Sequence, residues 1–124
     1  MQNSPIQTNP TADLYDLSML EEMDDTEYLL DMLTTLLHEA PTDIKEMQLA
    51  LVAGKIDIVC KQAHKLKNSA GIIQAEKLIA LLEDIEAIGK KGANGNELIS
   101  LIENAAQQYN CIEKALQIYV NELK

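Results

Sequence analysis

Apolar residues recur at intervals of three and four along almost the whole chain, which is the period of helices. Leu14, Leu17 and Leu20 mark a short amphipathic helix. Asp24 and Asp25 then offer an N-cap to a segment carrying Leu29, Met32, Leu33, Leu36, Leu37 and Ala40. Pro41 is expected to stop this helix and to lie near the start of the next, whose stripe is Ile44, Met47 and Leu51 and whose end is Gly54. A further long helix is predicted from about Ile56 or Asp57 to about Gly71 or Ile73. Another carries Leu78, Leu81, Leu82, Ile85 and Ile88 and fades at Gly89 and Gly92. The stretch Gly92-Ala93-Asn94-Gly95-Asn96 reads as a turn. The last helix is long, with Leu98, Leu101, Ile102, Ala105, Tyr109, Ile112, Leu116, Tyr119 and Leu123 on its stripe.

No segment alternates with period two, so no sheet is predicted. Short connections make consecutive helices antiparallel neighbours. The expected fold is all-α: an up-and-down four-helix bundle over residues 13–124, with one or two short accessory N-terminal helices, after a disordered tail at residues 1–12. The palette agrees. Of 124 residues 47% are hydrophobic, yet there are four Tyr and no Phe or Trp, so the core must come from Leu, Ile, Val, Met and Ala.

Charge removes several functions. The formal net charge is −10, and all 10 basic residues are Lys. Nucleic acid and anionic lipid would repel such a chain, and without Arg it has no bidentate phosphate clamp. No run approaches the roughly 20 apolar residues of a membrane span. The start, MQNSPIQTNP, lacks the basic and apolar regions of a signal peptide. A cytoplasmic, free-standing protein is the expectation. Cys60 and Cys111 have no metal-ligand spacing and read as free thiols. His38, beside Glu39 at an expected helix end, reads as a structural histidine, and no metal site is expected.

One helix breaks the bland pattern. In Asp57–Gly71 the buried stripe is Val59, Ala63, Leu66 and Ala70, continued by Ile73. At roughly 100° per residue, His64 points about 140° away from that stripe, toward solvent. Lys61 and Lys67 lie three residues to either side of it, and Asn68 and Gly71 follow along the same face, whereas Lys65 projects elsewhere. No acidic residue occurs between Ile58 and Ala75, while Lys55, Lys61, Lys65 and Lys67 cluster in and just before this helix. An exposed imidazole nitrogen can attack phosphorus to give a phosphoramidate, and ammonium groups can hold the oxygens of the phosphoryl group it acquires.

The string Ala63-His64-Lys65-Leu66-Lys67-Asn68-Ser69-Ala70 resembles the signature of the histidine phosphotransfer (HPt) domains of multistep phosphorelays, roughly A-H-x-L-K-G-S-A. Ala75 and Leu78 fit its continuation, and the lead-in around Pro41 and Ala50–Gly54 is similar to the family's as well. The resemblance extends from about Leu14 to Leu123. It implies a phosphoacceptor, His64; a phosphoryl-stabilising lysine, Lys67; and Ser69 and Ala70 as residues that shape the helix face. Helical spacing adds Lys61 to the phosphoryl-stabilising group, and Asn68 and Gly71, on the face of His64, to the site-shaping one. Lys65 and Ile72 are expected to contribute to partner docking. The implied partners are response-regulator receiver domains and a hybrid sensor histidine kinase. No cofactor is implied for this chain, since Mg²⁺ would be held by the receiver, and a monomer is expected. Two departures stand out: Asn68 and Gln74 occupy positions where the family has Gly. Asn68 is expected either to crowd an approaching receiver or to hydrogen-bond the His64 ring.

Three functions compete on these grounds. The first is a phosphocarrier without autonomous catalysis. The second is a helical adaptor that binds a receiver or kinase without transferring phosphate. An enzyme is the weakest, because the chain has no Gly-rich phosphate loop, nucleotide motif or paired carboxylates beside a base.

Overall fold

The computed structural model describes residues 13–92 and 95–124. The expected N-terminal tail and the centre of the expected turn, Ala93 and Asn94, lie outside the described residues. Five helices follow in order: α1 (Ser18–Glu22), α2 (Thr26–Val52), α3 (Ile56–Ile72), α4 (Glu76–Lys90) and α5 (Gly95–Leu123). The last four pack as α2 on α3, α3 on α4, α4 on α5 and α5 back on α2, which closes a four-helix bundle. Among the described residues there is no strand, and no helix is long and apolar enough to cross a membrane.

Pro41 does not stop a helix: it lies inside the single α2 of 27 residues. Proline removes one backbone donor and crowds the carbonyl four residues earlier, at a cost of about 3 kcal/mol. Burial offsets it. Leu33, Leu36, Ala40, Ile44 and Met47 are all buried. Their spacing runs three, four, four, three straight through the proline, so breaking the helix would split one continuous core stripe. His38 is consequently an exposed mid-helix residue and not a helix end.

The caps account for the other boundaries. The Asp25 carboxylate accepts the Tyr28 N–H at 3.0 Å and so starts α2. Two turns share one C-terminal geometry. Lys55 N–H reaches Ala50 O at 2.8 Å across Gly54, and Ala75 N–H reaches Ala70 O at 3.0 Å across Gln74. The residue at the centre of each is left-handed, Gly54 at φ 73° and Gln74 at φ 50°. The family's glycine at position 74 therefore has a backbone reason, and Gln74 occupies that conformation under strain.

The accessory helix is shorter than the leucine pattern suggests. Only Ser18–Glu22 is helical, while buried Tyr15 and Leu17 join the core from the segment before it. Asp16 N–H donates to Ile73 O at 2.9 Å, and the Tyr119 hydroxyl donates to Glu21 Oε2 at 2.6 Å. These bonds tie α1 and its lead-in to the end of the bundle that holds the C-termini of α3 and α5.

Candidate functional site

The stripe Val59, Ala63, Leu66 and Ala70 is fully buried, as its spacing requires, and it fixes the rotation of α3. That rotation leaves the His64 side chain 58% exposed on the outer flank of the α3–α4 seam. Directly across the seam stands Glu86, which the sequence reading missed. It is only 8% exposed, although it is charged. A signal was present. Leu82, Ile85 and Gly89 are buried on α4, and Glu86 falls four residues after the first and three before the last, on the inward side of the helix.

Glu86 gathers three cationic or proton-bearing groups. Its Oε2 lies 3.2 Å from His64 Nδ1, and its Oε1 lies 3.0 Å from Lys67 Nζ. Lys90, one turn further along α4, brings its Nζ to 3.9 Å from Oε2. Burial pushes the Glu86 carboxyl up, but the hydrogen bond and charge of Lys67, with His64 adding to them, outweigh burial and hold it below its usual range. Glu86 is therefore an anion at neutral pH. A carboxylate can only accept, so Nδ1 of a neutral His64 ring must carry the proton. The lone pair is then on Nε2, on the opposite edge of an exposed ring. This is the arrangement of an oriented nucleophile.

Both inward-reaching lysines are matched by buried carboxylates. Lys67 meets Glu86, and Lys65 places Nζ 3.1 Å from Oδ1 of Asp43, a residue of α2 that is 1% exposed. The basic patch read from the sequence is thus partly neutralised by helices distant in the chain. Among the described residues no group of three or more His, Cys, Asp or Glu side chains is placed to hold a metal.

Comparisons with known proteins bear on the family and the fold. A family model described as Hpt domain matches residues 31–123. The chain belongs to the Hpt-domain family. Its fold is also that of a solved Hpt protein, histidine-containing phosphotransfer protein B (HptB) from Pseudomonas aeruginosa PAO1. The TM-score is 0.79 at 20% identity, over 90% of this chain and 96% of that one. No curated protein matches in sequence.

Within this Hpt domain the candidate residues of α3 divide between its two flanks. His64 and Lys67 face α4 and meet at Glu86. Ser69 and Ile72 face α2 instead, lining a shallow groove with Met32, Thr35, Leu36 and Glu39. Ile72 is 43% exposed there. Lys61 is exposed and pairs with no carboxylate among the described residues, so the second lysine at Glu86 is Lys90, not Lys61. Asn68 is exposed and does not bond the His64 ring, which is held from α4. Gly71 has open space where a Cβ would project, so nothing inside the domain requires a glycine there.

Proposed function

We propose that this Hpt domain relays a phosphoryl group between receiver-domain aspartates through Nε2 of His64. The observation that carries the reading is the Glu86 contact, which engages Nδ1 and leaves Nε2 as the free basic nitrogen of an exposed ring. In the forward step the Nε2 lone pair attacks the phosphorus of a receiver aspartyl phosphate. The N–P bond forms as the P–O bond breaks, and the aspartate carboxylate leaves with the electron pair. Nδ1 keeps its proton throughout, so the ring becomes cationic, and that charge faces the Glu86 carboxylate. Donation to the next receiver runs the same step backward.

Lys67 is held at 3.0 Å from Glu86 Oε1, on the carboxylate whose other oxygen meets His64, and it can turn from Glu86 toward the phosphoryl oxygens. Lys90 neutralises Glu86 when it does so. Lys61, exposed on the same helix, adds long-range attraction for the incoming anion. The domain acts as a carrier and depends on the receiver for Mg²⁺ and for the chemistry at the aspartate. A hybrid sensor kinase upstream, a cytoplasmic setting and a monomeric state complete the reading.

The test is phosphoryl transfer from a panel of chemically phosphorylated receivers. Wild-type protein should acquire an acid-labile, base-stable label, and His64→Gln should acquire none. A folded wild type that binds a receiver yet takes no label would assign the chain to the adaptor class instead.

A further inference from the structure

Glycine is the poorest helix former after proline, and a glycine in the middle of a helix needs a reason. Gly89 is buried inside α4, one turn after Glu86. Its backbone is not left-handed, unlike that of Gly54 and Gly92, so conformational freedom is not the reason. Space is. A Cβ on residue 89 would fall 2.5 Å from Cys60 Sγ and 3.4 Å from Ile56 Cγ2, both on α3. At Gly71 and Gly95 the same Cβ would meet nothing within 4 Å. Gly89 is a notch, and the Cys60 thiol is seated in it, with Sγ also 3.9 Å from the Glu86 carbonyl oxygen.

The position of this contact along the seam gives it a consequence. Cys60 is one turn before His64 on α3, and Gly89 is one turn after Glu86 on the antiparallel α4. The thiol–glycine contact and the His64–Glu86 contact are therefore adjacent rungs of one ladder between two stiff helices. Carbon and sulfur atoms pack at roughly 3.5 Å or more. Relieving a 2.5 Å contact would move the helices apart by about 1 Å at that rung. The His64–Glu86 distance of 3.2 Å has little to lose before it exceeds hydrogen-bond reach.

We propose that Gly89, with Cys60 seated against it, is a positioning residue that sets the α3–α4 spacing at which Glu86 holds the His64 ring. It touches neither phosphate nor partner and acts only through Glu86. The proposal rests on the phosphocarrier reading for its consequence but not for its geometry. If its role were only to let the helix form, alanine would be the better residue at this position.

The test compares wild type, Gly89→Ala, Cys60→Ala and the double variant Cys60→Ala/Gly89→Ala. One readout is the ¹⁵N spectrum of His64, which reports the nitrogen that carries the proton and needs no phosphate. The other is the transfer rate from a phosphorylated receiver. Gly89→Ala should shift His64 away from the Nδ1–H form and slow transfer roughly fivefold, the loss expected when a charge-assisted hydrogen bond weakens to a neutral one. The double variant removes Sγ and so makes room for the new methyl group; it should recover both signals, while Cys60→Ala alone should resemble wild type. An unchanged ¹⁵N pattern in Gly89→Ala would show that the thiol rotates aside without moving α4, and would overturn the proposal. So would a perturbed pattern that the double variant fails to restore. Absence of transfer in the wild type, with the ¹⁵N series behaving as expected, would defeat the phosphocarrier reading and leave the spacing device standing.

Discussion

Replacing Glu86 by Gln tests the site most directly, because it preserves shape while removing the charge and one of the two acceptor oxygens. The wild-type carboxylate accepts from His64 Nδ1 with one oxygen and meets Lys67 with the other. Gln has a single acceptor oxygen, so its NH₂ must face one of them. If it faces His64, the favoured ring form reverses and the Nε2 lone pair is lost. If it faces Lys67, two donors confront each other. A hydrogen bond with an ionised partner is worth about 1.5–3 kcal/mol and a neutral one about 0.5–1.5. The difference is about 1 kcal/mol at its lower end, the end appropriate to a ring open to water, and corresponds to roughly a fivefold slower transfer. Freeing Lys67 works the other way, but its attraction for a solvent-exposed phosphoryl group is screened. Rapid-quench measurement of transfer in both directions, with receiver concentrations well above saturation, gives the rate of the chemical step. A Glu86→Gln variant that transfers as fast as wild type in both directions would refute the role assigned to the carboxylate.

Three further outcomes are expected. Gln74→Gly should relieve a left-handed residue that costs roughly 1–2 kcal/mol, less the extra chain entropy of glycine, so the protein should gain up to about 1 kcal/mol in urea unfolding. Acid should remove the contribution of Glu86. Its carboxyl sits below the ordinary value of 4.5 in the folded state, so its stabilising effect is full above that pH and fades as pH falls through the lowered folded value. Urea unfolding of wild type and Glu86→Gln should accordingly converge as the pH is lowered through that depressed folded value. Asn68→Gly should change the rate with which receivers exchange phosphate with His64, since Asn68 is exposed one turn along the same helix; identical rates across several receivers would remove it from the docking surface.

The bundle was legible from the apolar stripes of successive helices and their short connections, and the outward rotation of His64 and the company of Lys67 from the stripe of a single helix. What the sequence concealed was whatever depended on a second helix. Pro41 looked like a boundary because local propensity was weighed ahead of a core stripe that runs from Leu36 through Ala40 to Ile44 without a break. Glu86 was invisible beside His64 because 22 residues separate them, and only the antiparallel return of α4 brings them together. Asp43 hid in the same way beneath Lys65. The inward placement of both acids was nevertheless implied by their own helices, each carrying a carboxylate where the period calls for an apolar side chain. Lys61 is visible beside His64 because spacing on one helix can be counted, whereas the proximity of Lys90 across the seam cannot.

The division of α3 into two working flanks has a consequence for substitutions. The groups that handle the proton and the charge lie toward α4, within the stretch from Cys60 to Lys90. The groove formed with Ile72 and Ser69 lies toward α2 and draws on Met32, Thr35 and Glu39. Substitutions in α2 can therefore reshape that groove while the contacts of Glu86 with His64 and Lys67 stay untouched. Conversely, the contacts that join His64, Lys67, Glu86 and Lys90 all fall within the contiguous α3–α4 hairpin, so a change confined to that stretch of chain alters the centre without altering the α2 side of the groove.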